Sequence, residues 1–261
     1  MPERDFAALE SYGLVPRLLH DVQQADTGAL VLGRACPAPI LPLVEALYAL
    51  GPAAESFCLV PAELLQAALE TVDYSRSIPL IKSRKMGELM PRVRDFAAKG
   101  VPALALDMTV LAHTPPFGHE PWRPRSKEDL AELRAAAGVP FWLYGVASPA
   151  DAEAAMEAGL EAVVVHAGAG LHLSSPATID MFPEIFDAVA GMTLVYAGGP
   201  VRGGIDIFRY LAVGAEAVIV ESDRPVPHLQ AELEYAMRLT GCQTLADIGY
   251  ETIFAPLFGE V

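Results

Sequence analysis

The chain is short of positive charge. Its 18 Lys and Arg residues stand against 33 Asp and Glu, for a formal net charge of −15. Nucleic acid is therefore not an expected partner, because its phosphates are repelled by a surface of the same sign. Cysteine is scarce: Cys36, Cys58 and Cys242 show no metal-type spacing. A reducing, cytoplasmic setting is the expectation. Cys58 lies in the apolar run 56–60 and reads as core. No apolar run reaches the roughly 20 residues of a membrane helix. The opening Met1-Pro2-Glu3-Arg4-Asp5 reads as neither a secretory n-region nor an Arg-rich transit peptide. Low-complexity tracts and short repeats are missing as well.

What is present is apolar bulk, 52% of 261 residues, enough for one large α/β core. Eight apolar runs recur in order, at 39–44, 55–60, 78–82, 102–107, 140–145, 162–167, 193–198 and 217–222. They are continuous rather than alternating, as for parallel strands buried on both faces. Helical patterns lie between them, at 61–71, 88–98, 127–137 and 205–213, with a closing helix at 226–240. Another starts at Ser148-Pro149, a cap followed by a first-turn proline, and ends at Gly159. This alternation predicts a single (β/α)8 TIM barrel over 39–245. An N-terminal lid segment (1–38) and a C-terminal tail (246–261) are expected to pack on it. Within the lid, Asp26-Thr27 and Leu32-Gly33-Arg34 predict a turn and a short hairpin over the barrel bottom. The Pro-, Gly- and His-rich stretch 113–125 is expected as a loop on the face where barrel chemistry occurs.

The most informative stretch is Ala197-Gly198-Gly199-Pro200-Val201-Arg202-Gly203-Gly204, followed by Asp206-Ile207-Phe208. It reads as strand, glycine turn, helix. Glycines let backbone N–H groups approach an anion, and the helix offers its positive end. After the last two strands of a barrel, that is the usual phosphate site. Gly198, Gly199, Arg202, Gly203 and Arg224 are the candidate contacts. The plain alternative for Arg202 is a surface arginine at a helix start, and Asp223 opposes anion binding there.

His166 and His172 stand at the end of the sixth run. They suit proton transfer, metal ligation with His113 and His119, or a solvated loop; no spacing signals a metal. Glu45, Asp107 and Glu221 end predicted strands and would make an acidic mouth, unless some cap the next helix. Lys82 ends another strand, as an electrostatic or Schiff-base residue or as part of a basic turn with Ser83-Arg84-Lys85. Trp122 suits stacking on a planar ligand or closing the loop around it.

The second half resembles the FMN-dependent α-hydroxy-acid oxidase and dehydrogenase family. The matching pieces are Gly145-Val146, Ser148-Pro149-Ala150-Asp151-Ala152, Pro176-Ala177-Thr178-Ile179, Gly198-Gly199, Val201-Arg202 and Asp206-Ile207-Phe208. Leu211-Ala212-Val213-Gly214-Ala215, Arg224-Pro225 and Leu239-Thr240-Gly241-Cys242 complete the set. Upstream, Val15-Pro16-Arg17 through Val22, Asp26-Thr27, Leu32-Gly33 and Pro39-Ile40 are similar to the family's N-terminal segment. The resemblance implies a TIM barrel with FMN over its C-terminal mouth.

The departures fall on the family's chemistry. Tyr144 stands where the family has a flavin-contacting lysine. Ala167 and Gly170 stand at its catalytic His and substrate-clamping Arg, with His166 one residue earlier. Ala197 replaces an aspartate, and Pro200 reads as an insertion. Glu221-Ser222-Asp223-Arg224-Pro225 replaces a Gly-Arg-Pro that holds the flavin phosphate. Leu43-Val44-Glu45 and Pro79-Leu80-Ile81 replace small and amide-bearing residues.

Three readings follow. The first is a divergent FMN oxidoreductase acting on a small organic substrate, with His166 as proton acceptor. The second is a flavin-free enzyme using His166, Glu221 and Asp107 on a small phosphorylated or metal-bound substrate. The third is a non-catalytic subunit that binds a partner protein. Association into a homo-oligomer through the outer helices is a further expectation.

Overall fold

A computed structural model describes residues 2–44, 56–68, 72–109, 124–168 and 176–255. Helix α1 (Pro2–Ser11) opens the chain, followed by β1 (Gly13–Leu14) and a hairpin of β2 (Ala29–Val31) and β3 (Arg34–Cys36). Eight strands then form one sheet: β4 (Ile40–Pro42), β5 (Cys58–Pro61), β6 (Ser77–Lys82), β7 (Leu104–Asp107), β8 (Phe141–Val146), β9 (Ala162–Val165), β10 (Leu194–Pro200) and β11 (Val218–Glu221). Their spatial order is β4-β11-β10-β9-β8-β7-β6-β5, with parallel pairing throughout. A parallel bridge between Leu43 and Leu59 joins the two ends, and the Val44 N–H donates to the Leu59 carbonyl at 2.9 Å. The expected (β/α)8 barrel is the observed one.

Helices α2 (Ala62–Ala67), α3 (Met86–Ala98), α4 (Lys127–Ala137), α5 (Pro149–Glu157), α6 (Thr178–Val189), α7 (Gly204–Ala212) and α8 (Val226–Thr240) surround it. Ser126 and Ser148 start α4 and α5 by accepting the Asp129 and Asp151 N–H groups. Gly138 ends α4 at φ 63°, a left-handed position that glycine fills without strain. Helix α2 is shorter than the apolar pattern 61–71 suggests, and residues 69–71 lie outside the described ones. Helix α6 escapes a periodicity search because Pro183 sits inside it.

The core has two layers. Inside the barrel, Leu41, Leu59, Leu80, Trp142, Val164, Tyr196 and Ile219 fill the centre. Trp142 meets Tyr196 edge-on, with ring centroids 5.0 Å apart. Outside it, alternate residues such as Val163 and Val165 pack under the helices. Cys36, Cys58 and Cys242 are buried, and burial pushes the Cys58 thiol up to about 12.

The hairpin plugs the bottom, where Val31 and Cys36 pack with Phe57, Ile78, Ala103 and Ala217. Helix α1 goes elsewhere, to the helix N-termini beside the mouth. There Asp5 Oδ1 accepts from the Thr178 N–H at 3.3 Å, and the Tyr12 hydroxyl donates to Asp180 Oδ1 at 3.3 Å. Arg209 Nε donates to the Tyr12 carbonyl at 2.8 Å. The N-terminal segment thus reaches both ends of the barrel. Near the other terminus, β12 (Ile253–Phe254) pairs antiparallel with β1.

Candidate functional site

Period-two alternation decides what reaches the C-terminal mouth. On β9, Ala162 and Val164 face the barrel interior, and His166 continues that face just past the strand. Val163, Val165 and Ala167 pack outward. His166 therefore points into the mouth, and Ala167, the position the resemblance gives to a base, does not. Gly198 on β10 makes room for it. A Cβ there would lie 3.0 Å from Val164 Cγ1, 3.2 Å from His166 Cδ2 and 3.5 Å from Tyr144 Cε2.

Three strands bring their last inward residues together. Glu221 Oε1 accepts from the Tyr144 hydroxyl at 3.1 Å and lies 3.0 Å from His166 Nε2. The Gly168 N–H donates to His166 Nδ1 at 2.9 Å. Nδ1 is thus the acceptor nitrogen and Nε2 carries the proton donated to Glu221. Both imidazole nitrogens are engaged. The His166 side chain is 6% exposed and that of Glu221 31%, so the carboxylate is the group that faces the mouth.

Asp107 completes the group. In register it lies between Lys82 on β6 and Tyr144 on β8. Its Oδ1 accepts from the Thr109 N–H at 2.8 Å and the Thr109 hydroxyl at 2.5 Å. A bulge between Tyr144 and Val146 lets that turn approach β8. Gly145 there has φ 97°, and a Cβ would lie 2.8 Å from Thr109 Cγ2. Lys82 ends β6 exposed, in the register position beside Asp107.

The two carboxyls are driven apart. Burial raises Asp107 above the usual carboxylate range, although Thr109, His166 and Lys82 act against it. Burial also pushes Glu221 upward, but the hydrogen bonds from His166 and Tyr144 outweigh it and leave Glu221 below that range. Burial, followed by the charges of Glu221 and Asp107, raises Tyr144 well above its ordinary value and keeps it a donor. Asp107 and Glu221 thus depart from the ordinary carboxylate range in opposite directions.

Asp107 gives a pH test. A carboxyl raised on folding stabilises the fold while protonated and loses that contribution as pH rises through its folded value. Asp107→Asn removes the charge and keeps an oxygen for Thr109. It is expected to be at least as stable as wild type at neutral pH, with the gain shrinking under acid. Urea melts at neutral and acid pH check this; an equal difference at both pH values contradicts it.

The two arginines expected as anion contacts are already paired within the chain. Arg202 donates its N–H to Asp206 Oδ2 at 2.9 Å and its Nε to the same atom at 3.3 Å. Its Nη1 pairs with Glu10 of α1, and its guanidinium lies 4.8 Å from the Phe6 ring centroid. Arg224 pairs with Glu232 of α8 through both terminal nitrogens. Glu232 also accepts the Gly204 N–H at 2.9 Å. Of the other candidates, Glu45, His113, His119, Trp122, Gly170 and His172 lie outside the described residues. Among the described residues no group of three His, Cys, Asp or Glu side chains could hold a metal ion. No helix among them is long and apolar enough to cross a membrane.

Fold and mouth together define a barrel of the kind that gathers its polar groups at the strand C-termini. Residues 119–226 match the family model "FMN-dependent dehydrogenase". An L-lactate oxidase of Roseobacter sp. (strain GAI101) is 39% identical over 138 residues, 46% of this chain and 37% of the relative. A peroxisomal (S)-2-hydroxy-acid oxidase of Oryza sativa subsp. japonica is 36% identical over 140 residues, 47% of this chain and 38% of the relative. These matches span little more than a third of either relative. An L-lactate oxidase of Alicycliphilus denitrificans aligns over 95% of this chain and 86% of its own length at 27% identity. The crystal structure of mandelate oxidase superposes with a TM-score of 0.76 at 22% identity, covering 98% of this chain and 89% of that one. Over residues 119–226, then, the chain is similar to the FMN-dependent dehydrogenases, and its fold is that of mandelate oxidase.

Two contributors escaped the sequence reading. Tyr144 reads in the sequence only as a replaced lysine, yet its inward position follows from alternation along β8. Glu232 sits 28 residues from the backbone it caps, and nothing local signals that contact.

Proposed function

We propose that this chain transfers a proton to or from a small organic acid at the barrel mouth. Glu221 is the base, Asp107 the partnering acid, and His166 and Tyr144 hold Glu221 in place. One observation carries the reading: a single Glu221 oxygen is bound by Tyr144 at 3.1 Å and His166 at 3.0 Å, with no bond recorded among the described residues for its second oxygen. The two donors keep the carboxylate ionised and oriented, and its exposed edge meets the ligand. His166 has no free lone pair and acts through Glu221.

The family is FMN-dependent, and the cofactor's phosphate does not fit the cradle as built. The Gly204 N–H, the Arg202 N–H and both arginine side chains already bind this chain's own carboxylates. Glu221 and Asp107 add negative charge at the mouth. This proton transfer needs no flavin.

The relatives' names supply the probes, lactate and other small 2-hydroxy acids with their 2-oxo counterparts. Proton NMR in heavy water is expected to show deuterium entering a carbon–hydrogen position of one of them. The reading fails if no probe exchanges. It also fails if the purified protein is yellow, with flavin absorbance at about 450 nm, and a 2-hydroxy acid bleaches it as fast in Glu221→Gln as in wild type. That result would return the chain to its relatives' redox reaction.

A further inference from the structure

We infer that Glu232 is a built-in substitute for the anionic tail that the glycine turn and α7 would otherwise hold, so that this chain keeps its cradle shut and binds no phosphate there. A helix N-terminus accepts a carboxylate or a phosphate by the same physics, through unpaired N–H groups and the positive end of the dipole. At α7 that place is filled from within. Glu232 Oε2 takes the Gly204 N–H at 2.9 Å and Arg224 Nη1 at 3.0 Å, and Oε1 takes Arg224 Nη2. Arg224 Nη1 also donates to the Arg202 carbonyl at 2.7 Å, which locks the guanidinium across the turn.

The occupancy is steric as well as electrostatic. A Cβ added to Gly203 would lie 2.2 Å from Glu232 Oε2, so the carboxylate occupies the space directly above the turn. The pairing with Arg224 holds Glu232 below the usual carboxylate range, and it stays charged in neutral solution. A phosphate carrying about two negative charges would have to expel it. The neighbouring arginine offers no second opening. Asp206 binds the Arg202 N–H and Nε, and Glu10 binds its Nη1. Three helices, α1, α7 and α8, therefore contribute one carboxylate each to a turn whose glycines suit an external anion. Glu221 plays no part in these contacts, so this inference stands or falls separately from the proton-transfer reading.

The test uses the whole purified chain in phosphate-free buffer. The probes are FMN, riboflavin and inorganic phosphate, and the readouts are flavin fluorescence quenching and thermal melting. Wild type is expected to bind FMN no more tightly than riboflavin, which lacks the phosphate, and to gain no melting temperature from inorganic phosphate. Glu232→Ala empties the cradle. It is expected to favour FMN over riboflavin by at least about tenfold, the effect of one charge-assisted contact, and to melt higher with phosphate. Glu232→Gln retains an acceptor for the Gly204 N–H while losing the charge; it is expected to gain in the same direction and serves if the alanine variant does not fold. A wild-type preference for FMN of tenfold or more overturns the inference. A folded Glu232 variant without any gain overturns it equally.

Discussion

Glu221→Gln lowers deuterium exchange into the substrate by about 10²–10⁴-fold, the usual contribution of a positioned general base, and leaves the fold intact. The amide oxygen still accepts from Tyr144 and His166, so the melting temperature is expected to stay close to wild type. His166→Ala gives a different signature, because it acts only through Glu221. Without the His166 hydrogen bond, burial dominates and the Glu221 carboxyl rises. Activity requires the ionised carboxylate, so the acid limb of the pH–rate profile moves to higher pH. At the plateau the loss is smaller than for Glu221→Gln, and His166→Gln, whose amide N–H replaces the donor, recovers part of it. A pH–rate series on the three variants checks this. An unmoved acid limb in His166→Ala removes His166 from the site's chemistry, and full activity in Glu221→Gln removes Glu221.

Much of this architecture was legible, for an identifiable reason. Strands buried on both faces leave continuous apolar runs, and every one of the eight runs overlaps a barrel strand. Helix α4 was readable to the residue because Ser126 and Gly138 mark its ends. Facing was harder. Alternation from Ala162 and Val164 places His166 inward, whereas anchoring the count on Ala167 as the family's base turns it outward. The cradle was legible as a glycine turn before a helix, but its occupant was not. Glu232 reads as one more charged residue of α8, and only the packing of α8 against α7 brings it to the turn. The division of the first 38 residues was hidden similarly. Phe6, Leu9 and Tyr12 have helical spacing, and their docking site is formed by segments far along the chain.

Gly204→Ala is expected to be the most damaging single-methyl change in the described chain. Gly204 is the first residue of α7, and there α7 touches the α8 backbone. A Cβ would lie 2.2 Å from the Leu233 nitrogen, 2.3 Å from the Leu229 oxygen and 2.6 Å from the Glu232 carbonyl carbon. None of these atoms can swing away as a side chain can. The helices must separate, and α8 cannot move freely, because Leu229, Leu233, Ala236 and Met237 are completely buried beneath it. Alanine's better helix propensity returns only about 1 kcal/mol. Overpacking of this kind costs about 3 kcal/mol or more, which for a chain of this size lowers the melting temperature by roughly 6–12 °C. Gly203→Ala is the control. Its backbone is extended, at φ −174°, and its added methyl meets only the ends of the Glu232 and Arg224 side chains. Those can rotate aside, so the expected cost is near 1 kcal/mol, within the ordinary range for a substitution. Thermal melts of the two variants side by side separate the cases. Equal stability would mean that α7 and α8 do not approach backbone to backbone, and the contact that carries Glu232 into the turn would be lost with it.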